Sequence, residues 1–181
     1  MPDRDWRVHD GRVQLRPWQQ DDLDSLLLHA NDAAVSRGLS TRFPYPYSRA
    51  DGQAFLAGEV IDLSGPVFAL VIDGQACGGI GVTQGKGERR FGASLGYWLG
   101  QRHWGQGVMT SVVAAYAPWV MRELGLARLA AQVMTYNPAS ARVLLKNGFV
   151  EEGVERQSVF KDGALHDMRC FARFESFLQL P

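Results

Sequence analysis

The stretch of this chain with the plainest chemical potential is Gln101-Arg-His-Trp-Gly-Gln-Gly107. It sets two glycines and a cation between a strand-like run, Leu95 to Gly100, and an apolar-periodic run from Val108. A helix start leaves N–H groups unpaired and carries about half a positive charge, so glycines just ahead of it let a phosphate approach the backbone. The loop is therefore either an anion cradle or a tight strand-to-helix turn. It lacks the G-K-[S/T] of a nucleotide-hydrolysing loop and does not open a βαβ unit with G-x-G-x-x-G, which argues against nucleotide hydrolysis and dinucleotide binding.

A second motif, Asn137-Pro-Ala-Ser140 running into Lys146-Asn-Gly-Phe149, reads first as helix architecture. Asn137 suits the N-cap, Pro138 the first helical position, Ser140 the third and Gly148 the C-terminal stop. Arg142 and Lys146, at i and i+4, share a face that is either solvated or turned to a phosphate. The four histidines, His9, His29, His103 and His166, are scattered without H-E-x-x-H, and Cys77 and Cys170 show no metal spacing, so packed, reduced thiols and no metal site are expected.

Several elements must position these residues. Val13 to Arg16 alternates as a strand, and Asp21 and Asp22 can cap a helix carrying Leu23, Leu26, Leu27 and Ala30. The loop "STRFPYPYS" leads to a second helix, Arg49 to Ile61. Val67–Ile72, Ala76–Thr83 and Phe91–Leu99 read as an antiparallel meander with a turn at Asp73-Gly74. A helix from Met109 to Gly125 follows, which Pro118 should kink. Arg128–Met134 is then a buried strand, Pro138–Asn147 a helix, and Phe149–Val159 with Leu165–Phe174 a final strand pair. The order β-α-α-β-β-β-α-β-α-β-β predicts a mixed α+β fold with a mostly antiparallel sheet and one parallel pair across the long helix.

At 181 residues, without repeats or long linkers, the chain is expected to form a single domain over 1–181. Basic and acidic residues both number 19, so no overall field favours nucleic acid or an anionic membrane, and any anion site must be local. The charged opening "MPDRDWRVHDGR" lacks a secretion-signal pattern, and no apolar run approaches a membrane span, so a cytoplasmic location is expected. An apolar face near the last strands could support a homodimer.

Taken jointly, Leu95-Gly-Tyr-Trp-Leu-Gly, Arg102-x-x-Gly-x-Gly107, Asn137-x-x-Ser140 and Lys146-Asn-Gly-Phe149 strongly resemble the GNAT superfamily of acyl-CoA-dependent N-acetyltransferases. The likeness runs from near Val13 to Phe174, and "RFPYPYS" and "KDGALHD" look like its Rim-type branch of ribosomal-protein N-acetyltransferases. The resemblance implies that Arg102, Trp104, Gly105, Gln106, Gly107, Val108, Met109 and Thr110 hold the pyrophosphate of acetyl-CoA, mainly through backbone N–H groups, with Arg142 and Lys146 near a further phosphate. It implies that Trp98, Leu99 and Gly100 offer backbone groups to pantetheine and to the thioester carbonyl, where an N–H would stabilise the oxyanion. It gives Asn137 the pantetheine amide, and Ser140, with Tyr136 as the other nearby hydroxyl, the proton for the departing thiolate. Phe43, Tyr45 and Tyr47 form either an acceptor-side wall or core packing under the loop.

The general base expected from the resemblance is missing. Ala93-Ser94-Leu95 stands where many relatives carry a glutamate, and Ser158-Val159-Phe160 where the branch often places another carboxylate. Glu88, Glu155, His166 and Asp167 are the available substitutes. A peptide α-amine of pKa near 8 is about a tenth neutral at pH 7 and a lysine only about 0.04%, a gap worth roughly 3 kcal/mol. A site short of a base therefore favours N-terminal α-amines or small low-pKa amines. The alternative is a non-catalytic acyl-CoA-binding regulatory protein that keeps the cleft without the base.

Overall fold

The computed structural model describes residues 6–175; the charged opening at 1–5 and the last residues, 176–181, lie outside the described residues. Its strands are β1 (Trp6–Val8), β2 (Val13–Pro17), β3 (Phe68–Ile72), β4 (Gln75–Gln84), β5 (Gly92–Leu99), β6 (Arg128–Met134), β7 (Val150–Lys161) and β8 (Ala164–Phe174). Its helices are α1 (Leu23–Ala30), α2 (Ala33–Arg37), α3 (Arg49–Leu56), α4 (Val108–Glu123) and α5 (Pro138–Lys146). The predicted order is present, with β1 and α2 added to it. Two compact units arise, Met1–Gly81 with Tyr97–Val112, and Val82–Gly96 with Val113–Pro181.

In the first unit the strand order is β1-β2-β3-β4-β5. β1 to β4 pair antiparallel in sequence, and Asp73 and Gly74, with φ of 49° and 77°, close the β3–β4 hairpin as a two-residue turn of the left-handed kind that matches strand twist. The apolar stripe of α1 works as its spacing implies: Leu26 and Ala30 form a core with Tyr47 and Leu56, against which Trp18, Leu23, Leu27, Phe43, Phe55 and Trp98 pack. Asp22 does not cap α1 as expected. Its carboxylate instead closes the preceding turn by accepting from Gln19 N–H and forms a two-pronged pair with Arg16 at 2.8 and 2.6 Å. The short α2 is held by a cap absent from the sequence reading, Asp32 Oδ1 accepting from Ala34 and Val35 N–H. Ser48 and Asp51 cap α3 reciprocally, and the helix ends at Leu56 rather than Ile61 because Gly58 takes φ of 79° and turns the chain out.

In the second unit the order is β4-β5-β6-β8-β7. β5 and β6 are parallel through Gly92–Arg128, Ala93–Leu129 and Ser94–Ala130, the pairing that the intervening α4 makes possible. β8 lies antiparallel to β6 from Arg128–Phe174 to Met134–Met168, and β7 pairs outside it. α4 carries Pro118 within one continuous 16-residue run, and Tyr116, Ala117, Val120 and Met121 beside it are fully buried. Their packing offsets the roughly 3 kcal/mol an interior proline costs a helix. Cys77 is buried, Cys170 half-buried, and both are free thiols; burial pushes the Cys77 thiol up to about 11, out of reach of ready ionisation.

His29 belongs to the first unit's interior, only 3% exposed, with Nε2 3.4 Å from Gln75 Oε1. Burial holds its pKa below the ordinary 6.5, and the nearby Arg102 and His103 charges act the same way. Above 6.5 the ring is neutral in both folded and unfolded chains; below it the unfolded chain takes up a proton that the folded one resists. Stability should therefore fall as pH drops through that value, and urea midpoints at about pH 7.5 and about pH 5.5 should lie closer together in His29→Gln than in the parent chain.

Candidate functional site

Within the first unit the glycine loop leaves β5 through Gly100, makes a 3-10 turn over Gln101–His103 and enters α4 at Val108. Gly105 and Gly107 take φ of 74° and 78°, the left-handed region where a Cβ is strained. No protein atom lies within 4 Å of a Cβ built on Gly105, so conformation demands that glycine and the space beside it stays open. Trp104 is not a free surface aromatic: its Nε1–H donates to Leu99 C=O at 2.7 Å and ties the loop to the strand end. Gln106 Nε2 donates to Arg102 C=O at 3.0 Å. Ser111 N–H donates to Gly107 C=O, a backbone bond of the first turn of α4, and the N–H groups of Val108 and Met109 precede it at the electropositive end of the helix.

Three histidines that carry no motif gather around this loop. His9, in the left-handed turn of the β1–β2 hairpin, brings Nδ1 to 3.0 Å from Ser111 Oγ, and its ring stands beside Gly107. His29 and His103 have ring centres 5.6 Å apart, and a Cβ on Gly100 would come within 2.5 Å of His29 Nδ1. Burial, then the Arg102 charge, hold His103 below its ordinary pKa. Sequence reasoning could not find these contacts, because His9 meets a residue 102 positions away. An open hollow of about 330 Å³ beside the loop is lined by Leu28, His29, Asp32, Gln101 and Arg102.

Of the strand-end residues, Gly100 has its backbone committed: its N–H donates to Cys77 C=O at 2.7 Å and its C=O accepts from His103 N–H. The bond to Cys77 directs Gly100 towards β4, and the alternation of an antiparallel ladder directs Leu99 N–H to the opposite edge of β5. Leu99 rather than Gly100 is thus positioned to donate to a guest carbonyl. Trp98 stacks on Trp18, with ring centres 6.5 Å apart at 11°, and meets Phe43 at 5.2 Å. Trp18 Nε1 is buried there without a hydrogen-bond partner. Tyr47 is only 6% exposed and packs on Phe43, with burial raising its phenol to about 12, so it serves the core; Tyr45, 55% exposed, is the loop aromatic that faces solvent.

In the second unit Asn137 is the N-cap of α5, its Oδ1 accepting from Ser140 N–H at 3.2 Å, which leaves the amide NH2 end to meet a ligand. Ser140 is half-buried in the first turn, and Arg142 and Lys146 both lie exposed on α5. The helix closes through Gly148 at φ of 76°, with Phe149 N–H reaching Leu144 C=O. Tyr136 packs edge-on against His166, ring centres 5.2 Å apart. The candidate bases separate clearly. Glu88 is exposed on the β4–β5 connection, Glu155 accepts from Gln132 Nε2 at 3.1 Å, and Asp167 Oδ1 accepts from Gln157 N–H at 2.8 Å. Among the described residues no group of three or more His, Cys, Asp or Glu could hold a metal ion, and no helix is long and apolar enough to cross a membrane.

Comparison with known proteins agrees with this arrangement. The chain is 38% identical over 80 residues to the N-acetyltransferase YoaA of Bacillus subtilis, covering 44% of this chain and 45% of that protein. It is 35% identical over 81 residues to the ribosomal-protein-serine acetyltransferase of Escherichia coli, covering 45% of each. The matched part is thus about half the length of these curated relatives. In fold it is similar to Mycobacterium smegmatis RimJ, solved in complex with CoA-disulfide, with a TM-score of 0.79 at 24% identity over 96% of this chain and 87% of that one. The acetyltransferase (GNAT) domain model matches residues 12–150, well over half of the sequence, and the chain belongs to the GNAT acetyltransferase family.

Proposed function

We propose that this protein transfers the acetyl group of acetyl-CoA to a primary amine, and that the preferred acceptor is a protein or peptide N-terminal α-amine or a small amine of low pKa. The observation that carries the reading is the pair of positive-φ glycines, Gly105 and Gly107, immediately ahead of the N–H groups of α4. An anionic diphosphate satisfies those donors and the helix dipole together, in a chain whose net charge offers no wider attraction. Family membership supplies the acyl chemistry, and a relative named as a ribosomal-protein-serine acetyltransferase supports a protein acceptor. The family model spans residues of both compact units, which supports reading 1–181 as one working domain.

Each step makes a demand that named groups can meet. Leu99 N–H polarises the thioester carbonyl and shares the charge of the tetrahedral intermediate. The Asn137 amide NH2 orients the pantetheine arm. Ser140 Oγ–H donates to the departing sulfur, and Tyr136 packs the approach. Arg102 lends charge to the diphosphate loop, while Arg142 and Lys146 add a weaker, solvent-screened attraction for the outer phosphate.

Gly107→Ala should weaken CoA binding about 10-fold or more by calorimetry, at a folding cost of about 1–2 kcal/mol for a non-glycine residue in the left-handed region. Unchanged CoA affinity in the folded variant would remove the diphosphate loop from the account. Acceptor choice is read with matched peptides bearing free or blocked N-termini: acetylation should vanish on blocking, and a rate that survives blocking and follows a lysine reverses the preference. CoA binding without thiol release across a broad amine panel would instead favour the non-catalytic alternative.

A further inference from the structure

We propose that His166 is the general base that deprotonates the incoming amine, taking the role left open by the missing carboxylates; this rests on the acetyl-transfer reading above. Four observations in the second unit carry it. First, the Lys161 carbonyl lies 3.1 Å from His166 Nε2, and a carbonyl can only accept, so Nε2 bears the hydrogen and the lone pair of the neutral ring sits on Nδ1. Second, the ring is half-buried and held edge-on by Tyr136, which immediately precedes Asn137. Third, Thr135 N–H donates to Asp167 C=O at 3.1 Å, which pins the start of the β6–α5 link to β8 next to His166, so ring and link are positioned together. Fourth, Glu155 and Asp167 are already engaged by Gln132 and Gln157, while Glu88 stands exposed on the β4–β5 connection.

The orientation of the ring resembles that of imidazoles tuned for proton transfer, where a bond to one nitrogen selects the tautomer that frees the other. The charged groups on the elements around it include Lys161 and Asp162 at the β7–β8 turn, Glu151, Glu152, Glu155 and Arg156 on β7, and Asp167, Arg169 and Arg173 on β8, with the Tyr136 phenol on the β6–α5 link. Lys161, whose carbonyl holds the ring, is buried, and burial lowers the pKa of its ammonium.

The proposed step balances as follows. His166 Nδ1 takes one proton from the acceptor's ammonium. The freed lone pair forms the C–N bond at the thioester carbon while the C=O π pair moves to oxygen. Collapse restores C=O and breaks C–S, whose electrons go to sulfur; sulfur takes the Ser140 proton, and the second proton of the new amide nitrogen restores Ser140. The products are the N-acetyl amine, CoA thiol and one proton on His166.

The test compares parent chain, His166→Gln and His166→Asn with one accepted peptide, prepared with N-terminal alanine and with N-terminal trifluoroalanine, whose fluorines make the amine far less basic. Glutamine retains an N–H for Lys161 C=O, and asparagine provides a second variant should that one not fold. With the alanine peptide kcat/KM should fall about 100-fold in the variants. With the trifluoroalanine peptide, already neutral and in no need of a base, the loss should shrink below about 3-fold. CoA affinity by calorimetry should stay unchanged, and free imidazole should restore part of the rate in His166→Ala. An equal loss for both peptides, no loss for either, or no response to imidazole overturns the assignment while leaving acetyl transfer in place. A parent chain that binds CoA but acetylates neither peptide nor any amine sinks the acetyl-transfer reading and the role of His166 with it.

Discussion

The parallel register of β5 and β6 is the constraint from which the rest follows. Two parallel strands cannot be joined by a tight turn, so the chain must leave β5, cross over and return, and α4 is that crossover. A helix that begins directly after a strand end directs the N–H groups of its first turn towards that end. The connection must then reverse direction within a few residues, and Gly105 and Gly107 meet the requirement by adopting dihedrals that other residues resist. The exposed start of α4 beside the strand end is thus a by-product of strand order, and the glycine loop shapes it.

Charge is distributed to match. With 19 basic and 19 acidic residues the molecule has no net attraction for a polyanion, and many of its ions are spent in pairs. Arg16 engages Asp22, Arg128 engages Glu152 and Arg169 engages Glu151, and the arginine beside each of the last two holds its carboxyl below the usual range. The two partly exposed pairs on β6–β8, Arg128–Glu152 and Arg169–Glu151, add little stability, whereas Arg16–Asp22 is buried. Burial lowers the pKa of His29 and His103 beside the glycine loop, whereas His166 is oriented by a backbone carbonyl against Tyr136.

Aromatic packing does comparable work in the first unit. Trp18, Phe43, Phe55, Tyr47 and Trp98 form a continuous set of ring contacts under the Pro-rich loop. Gly79 allows it: a Cβ there would meet Trp98 Nε1 at 2.9 Å and Trp18 at 3.2 Å. The orphaned Trp18 N–H is the cost of that packing, tolerated because the stacked rings bury more apolar surface than one unmet donor loses.

Local patterns determined most of the elements. The i, i+3, i+4 spacing of Leu23, Leu26, Leu27 and Ala30, the Asp73-Gly74 turn, and Asn137, Pro138 and Gly148 around α5 are all signals carried by neighbours in the chain, and each element stands where they placed it. The glycine loop was legible for the same reason, since helix entry and positive φ are local demands. Local signals left open what tertiary contacts decided. Asp22 turned from cap to ion-pair partner because Arg16 folded back on it, Tyr47 took the core side of its two readings, and Gly100 N–H bonded Cys77 C=O. The insertion of β8 next to β6, the tie between His9 and Ser111 and the orientation of His166 join residues far apart in sequence. Spacing encodes which face of an element is apolar; only the closed packing of many elements selects which distant polar groups are left within reach of one another.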